Sequence, residues 1–173
     1  MKKQKLMEIE DIKNKKLICL DIDDCILPWN KPVFENEKLK LLQNTFEDRM
    51  KELKKNVDII KKFCDEYDYK VFIISSWSSF IMKNLELRKD IEEELKQYWN
   101  IIKELPIIGK DPFKDRQLAM DVLLDNNNKI ICIDDFDLSS HFEYAGEQFR
   151  MVNVFMGLGL EKKLKKLATK MKH

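Results

Sequence analysis

The sequence predicts an α/β fold of three layers, a five-stranded, mainly parallel sheet with helices on both faces. Two observations carry this reading. Short β-prone apolar runs recur along the chain, and stretches with helical periodicity separate them. Strands alternating with helices require crossover connections, and those build a parallel sheet covered on each side. At 173 residues the chain is long enough for one domain with a real core, so a single domain over residues 1–173 is expected.

The first run, Lys16 to Ile22, is almost wholly apolar before it meets aspartate. Leu39, Leu42, Phe46, Met50, Leu53, Val57, Ile60 and Cys64 recur every three or four positions and predict a helical stripe facing a core. Asn56 and Asp58 mark a break that would divide it into two helices. Tyr69 to Ile74 predicts the second strand and Phe80 to Ile102 a helix. Leu105 to Ile108, which holds Pro106, predicts a short edge strand. A helix over Lys114 to Leu124 ends at the Asn126, Asn127, Asn128 turn, and strands follow at Lys129 to Ile133 and Arg150 to Phe155. Leu160, Leu164, Leu167 and Met171 form the stripe of a last helix, whose lysines read as a solvated face.

Composition narrows the function classes. Lysine and arginine number 32 against 31 acids, which gives no electrostatic reason to demand a nucleic acid or an anionic membrane. The opening MKKQKLMEIEDIKNKK lacks the apolar centre of a signal peptide, and no run is long enough to span a bilayer, so a cytoplasmic chain without membrane association is expected. The cysteines at 19, 25, 64 and 132 have no metal-type spacing and read as reduced, packed thiols. No phosphate-cradling glycine pattern occurs.

The chemistry gathers at strand ends. KLICLDIDDCILPW brings Asp21, Asp23 and Asp24 to the end of the first strand, where the ligand crevice of an open parallel sheet lies. Carboxylates placed side by side are costly to bury unless a cation pairs them, and hard oxygen ligands suit Mg²⁺. KIICIDDFD repeats the arrangement at the fourth strand with Asp134 and Asp135. VFIISSW puts Ser75 and Ser76 after the second strand, where a hydroxyl can donate to a phosphoryl oxygen or simply cap a turn. In IIGKDPFKDRQLAM, Lys110 and Lys114 precede a helix, and a lysine there can neutralise a transferring phosphoryl group.

Strand then D-x-D, strand then Ser, Lys before a helix, strand then Asp-Asp: this order resembles the haloacid-dehalogenase-like (HAD) superfamily of phosphotransferases, over Leu17 to about Asp137. Asp21-Ile22-Asp23-Asp24-Cys25-Ile26 is similar to the D-x-D-x-[TV]-[LV] motif, with Cys25 at the Thr or Val position. Ile73-Ile74-Ser75 looks like the second motif and Ile133-Asp134-Asp135 like the fourth, while the third falls on Lys114 or on Lys110, with Lys114 preferred. ISSW, CIDD and VNVFMGLGLEKKLKKL further resemble a compact subgroup found beside nucleic-acid repair activities.

The resemblance implies a Rossmann-like domain and a Mg²⁺-dependent phosphatase. Asp21 would attack phosphorus and form an aspartyl-phosphate, and Asp23 would protonate the leaving group. Mg²⁺ would be held by Asp21, the backbone carbonyl of Asp23, Asp134 and Asp135. Ser75 with Lys114 or Lys110 would hold the phosphoryl oxygens. Ser76, Trp77 and Trp29 are the candidate substrate contacts: the two tryptophans lie close in sequence to the motifs and could stack on a base or pack in the core or rim. Neither the 27–69 nor the 77–109 segment has room for a large cap, so an open site taking a nucleotide, another small phosphate ester or a nucleic-acid end is expected, with no obligate protein partner. The rival readings are a non-catalytic relative that binds Mg²⁺ or acts as a scaffold, and a phospho-accepting receiver. Receivers carry their aspartate after the third strand, whereas here it follows the first.

Overall fold

In the computed structural model, residues 13–74 and 112–171 are described. β1 (Lys16–Leu20) leads into an antiparallel hairpin, β2 (Asn30–Glu35) and β3 (Lys38–Gln43). α1 (Phe46–Tyr67) and β4 (Lys70–Ile73) follow, then α2 (Pro112–Asp125), β5 (Lys129–Asp134), a 3₁₀ turn at Glu143–Gln148, β6 (Phe149–Asn153) and α3 (Leu160–Met171). Among the described residues the main sheet has four strands in the order β4-β1-β5-β6, each pair parallel, and the hairpin forms a separate two-stranded sheet.

Alternation along the strands separates two cores. Ile18 and Leu20 of β1, with Ile131 and Ile133 of β5, face Leu53, Val57 and Ile60 of α1 and Leu160 and Leu164 of α3. Leu17, Cys19, Ile130 and Cys132 point the other way, onto Ala119, Met120 and Leu123 of α2 and onto Phe142 and Phe149. Strands buried on both faces explain why the sequence shows continuous apolar runs rather than alternation. All four cysteines are buried and free.

The expected strands at Lys16, Tyr69, Lys129 and Arg150 and the helices at Lys114 and Leu160 are present with their ends shifted by a few residues. Two expectations on the 39–64 stripe are corrected. Leu39 and Leu42 belong to β3, not to a helix, because Asn36 and Glu37 both take positive φ (49° and 62°) and close a two-residue hairpin loop between paired Glu35 and Lys38. The helix begins only after Thr45, whose side chain accepts a hydrogen bond from the Asp48 amide. Asn56 and Asp58 do not break it, since α1 runs unbroken through both. Buried Asn56 instead donates to the Ile26 carbonyl (2.9 Å), tying α1 to the loop after β1. The expected strand at Leu105–Ile108, which would be the fifth, and the helix from Phe80 to Ile102 lie outside the described residues, as do Ser75, Ser76, Trp77 and Lys110. Among the described residues no helix is long and apolar enough to cross a membrane.

Candidate metal centre

β1 and β5 are neighbours, while β4 lies on the other side of β1, so the strand order reverses between β1 and β5. Crevices open beyond the carboxyl ends of strands at such a reversal. Asp21 directly follows β1, its amide donating to the Ile133 carbonyl (2.9 Å), and Asp134 ends β5. Parallel register therefore delivers both side chains to one edge. Asp135 joins them: the three carboxylates offer ligand oxygens within 4.8 Å of one another.

Asp21 and Asp134 are buried, and Asp135 is partly so. The backbone around the pair is tied down. Asn153 at the end of β6 donates its side-chain amide to the carbonyls of Asp134 (3.2 Å) and Asp135 (2.8 Å), and the Phe136 amide donates to Asp134 Oδ1 (2.9 Å). Burial pushes the Asp134 carboxyl up to about 6, against the pull of a nearby guanidinium and the Phe136 amide.

That guanidinium belongs to Arg116, which the sequence did not single out. Its Nη1 lies 2.9 Å from Asp134 Oδ2 and 3.3 Å from Asp21 Oδ1, and the residue is only 3% exposed. Lys114, the preferred sequence candidate, lies exposed in the first turn of the same helix. Residues two apart on a helix point to nearly opposite sides, at about 100° per residue, so one turn aims only one of these cations inward. The repeated apolar spacing of Leu118 and its neighbours does not say which. With three carboxylates and one guanidinium, the cluster keeps a net negative charge that a hard, oxygen-preferring divalent cation would balance.

The loop after β1 places the second aspartate. The amides of Cys25, Ile26 and Leu27 all converge on the Ile22 carbonyl, and Asp24 takes a positive φ of 53°. This tight turn leaves Asp23 beside the centre, its Oδ1 accepting from the Trp29 indole N–H (2.9 Å). Burial pushes the Asp23 carboxyl upward, opposed by the Trp29 hydrogen bond and by Arg49. Trp29 is half-buried, and its ring face is covered by the Arg49 guanidinium, whose carbon is 3.3 Å from the ring centre. Asn44 fixes this corner: its amide donates to the Trp29 carbonyl (2.8 Å) and its side chain to the Pro28 carbonyl (3.0 Å).

The structure thus brings Asp21, Asp134 and Asp135 together, and sets Trp29 on Asp23. It adds Arg116, Asn153 and Arg49 to the residues expected from sequence. His141 faces Asp121 at 3.6 Å. Comparison with models of known protein families, with curated proteins and with solved structures gave no match.

Proposed function

We propose that the chain is a Mg²⁺-dependent phosphoric monoester hydrolase of the haloacid-dehalogenase-like kind. One observation carries the reading: a buried Asp21/Asp134/Asp135 cluster at the carboxyl ends of adjacent parallel strands, with a second aspartate of raised pKa two positions after the first. Asp21 attacks phosphorus and the bond to the leaving oxygen breaks, giving an aspartyl-phosphate. Asp23 gives its proton to that oxygen. Water then attacks phosphorus, Asp23 takes up the water's proton, and inorganic phosphate departs as the Asp21 carboxylate re-forms. A carboxyl whose pKa burial raises above its ordinary range suits the first of these transfers. Bound between the three aspartates, Mg²⁺ would neutralise charge on the phosphoryl oxygens. Arg116 holds Asp21 and Asp134 in place, and in this reading Ser75 with Lys110 grips the phosphoryl group, since Lys114 lies exposed on the other side of its helix from Arg116. The partner is a phosphorylated small molecule or a nucleic-acid end.

The test is phosphate release by wild type and Asp21→Asn, with and without Mg²⁺, from an aryl phosphate, nucleoside monophosphates, sugar phosphates and 5′- and 3′-phosphorylated oligonucleotides. Release that needs both Asp21 and Mg²⁺ is expected. Silence across the panel, with metal binding demonstrated, would favour a second reading that the Arg116 contacts support: a non-catalytic scaffold in which the guanidinium serves as the cluster's structural cation.

A further inference from the structure

Arg49 is 5% exposed, yet its Nε and Nη2 are buried with no hydrogen-bond acceptor among the described residues. These nitrogens share one edge of the planar guanidinium, the edge whose parallel N–H bonds match the two oxygens of a carboxylate or phosphate. Burial pulls the Arg49 guanidinium below its ordinary range; the charges of Asp23 and Asp24 oppose this in part through space, but neither hydrogen-bonds that edge. Leaving buried donors unmet is costly, more so on a charged group, so a folded chain seldom carries such an edge without a use for it. Its position gives the use. Trp29 touches Arg49 with its ring face and Asp23 with its ring N–H, so the empty edge and the proposed proton donor lie within one indole of each other.

We infer that the Nε/Nη2 edge of Arg49 is a subsite for a second oxyanion of the substrate, a phosphate or carboxylate carried by the leaving group on the Asp23 side of the centre. The inference rests on the phosphatase reading for its orientation, since Asp23 marks the leaving-group side only there. Both nitrogens are shielded from solvent, so the oxyanion reaches them with a shift of the side chains packed around the guanidinium. Exclusion of water then strengthens the pair. The substrate class narrows to short phosphomonoesters bearing a second negative group. Lysine at this position would keep the charge and lose the fork.

The experiment uses two matched pairs: a nucleoside 3′,5′-bisphosphate against the 5′-monophosphate, and phosphoglycerate against glycerol phosphate. Binding is measured by calorimetry with Mg²⁺ in the Asp21→Asn protein, alone and combined with Arg49→Met or Arg49→Lys, and phosphate release is measured in the otherwise wild-type chain. The doubly anionic member of at least one pair should bind about tenfold more tightly or better, and the pair that responds identifies the oxyanion. Arg49→Met should abolish that preference and Arg49→Lys should keep only part of it. Met removes a desolvated charge and retains packing on Trp29, so the melting temperature should hold; if Arg49→Met does not fold, Arg49→Lys decides. A preference absent in the Asp21→Asn parent, or unchanged in the folded Arg49 variants, overturns the inference. Asp21-dependent phosphate release that ignores the second oxyanion overturns the subsite and leaves the phosphatase reading standing. An Arg49-dependent binding preference without any phosphate release does the reverse.

Discussion

Replacing Arg116 with methionine should expose how the acidic cluster is held. Arg116 Nη1 is 2.9 Å from Asp134 and 3.3 Å from Asp21, and all three residues are at most 5% exposed. Removing one partner of a buried ion pair while leaving the other charged costs about 3–5 kcal/mol. The cost depends on pH through Asp134. Its pKa in the folded chain is about 6 against an ordinary 3.8, so between these values the folded state holds a proton that the unfolded state has lost. Stability from this group is therefore greatest below about pH 4 and declines as pH rises through 6, by about 3 kcal/mol in total. Without Arg116 that decline should be larger and reach to higher pH, because of the two groups that favour the ionised Asp134 only the Phe136 amide would remain. Urea unfolding followed by circular dichroism, in chelator, at pH 5 and pH 7.5, would measure it. Arg116→Met should lose its full 3–5 kcal/mol at about pH 7.5 and distinctly less at about pH 5. In an Asp134→Asn background the same substitution should cost at least ~1 kcal/mol less, the coupling expected of groups in contact. Equal losses at both pH values, with additive effects in the double variant, would refute the ion-pair account.

Other consequences follow from the same geometry. Mg²⁺ should raise the melting temperature of wild type at pH 7.5 by mass action and lose most of this effect in Asp134→Asn, as differential scanning fluorimetry would record. Its affinity should fall about tenfold for each pH unit below 6, because Asp134 must shed its proton to bind; a pH-independent affinity would count against Asp134 as a ligand. Asn56→Ala should destabilise by about 1–3 kcal/mol through the orphaned Ile26 carbonyl. Gly157→Ala should also destabilise, since φ is +70° and the new Cβ would sit 2.6 Å from Asn56 Nδ2. Urea unfolding of the double variant, Asn56→Ala with Gly157→Ala, should show a loss smaller than the sum, because truncating Asn56 makes the room that the added methyl group needs.

The sheet was legible because its strands are buried on both faces and so leave unmistakable apolar runs, such as Leu17 to Leu20 and Ile130 to Ile133. The aspartates were legible because parallel register converts two strand ends into one place. The hairpin was not. Leu39 and Leu42 are spaced as on a helix, while Leu39 and Leu41 alternate as on a strand, and the deciding signal was a turn at Asn36 and Glu37 rather than any apolar period. Arg116 and Arg49 escaped for a different reason. In a chain this rich in cations, which one is turned inward depends on helix phase and on what packs beneath it, and each residue by itself looks like surface charge. Asn56 was misread as a breaker because its polarity, in sequence, points to solvent; in the fold it is spent on a backbone carbonyl.

The parallel sheet also sets the order of events when the chain folds. β1 pairs with β4 and β5 and with nothing local, and the Lys15 amide reaches the Asn128 side chain across 113 positions of sequence. Contacts of such long range form late, after the entropy of closing large loops has been met. Asp21 emerges from a ribosome early, yet its companions Asp134 and Asp135 arrive only when β5 is synthesised. A nascent or interrupted chain would carry the first aspartate without the cluster, so cation capture would report completion of the sheet rather than assist its beginning.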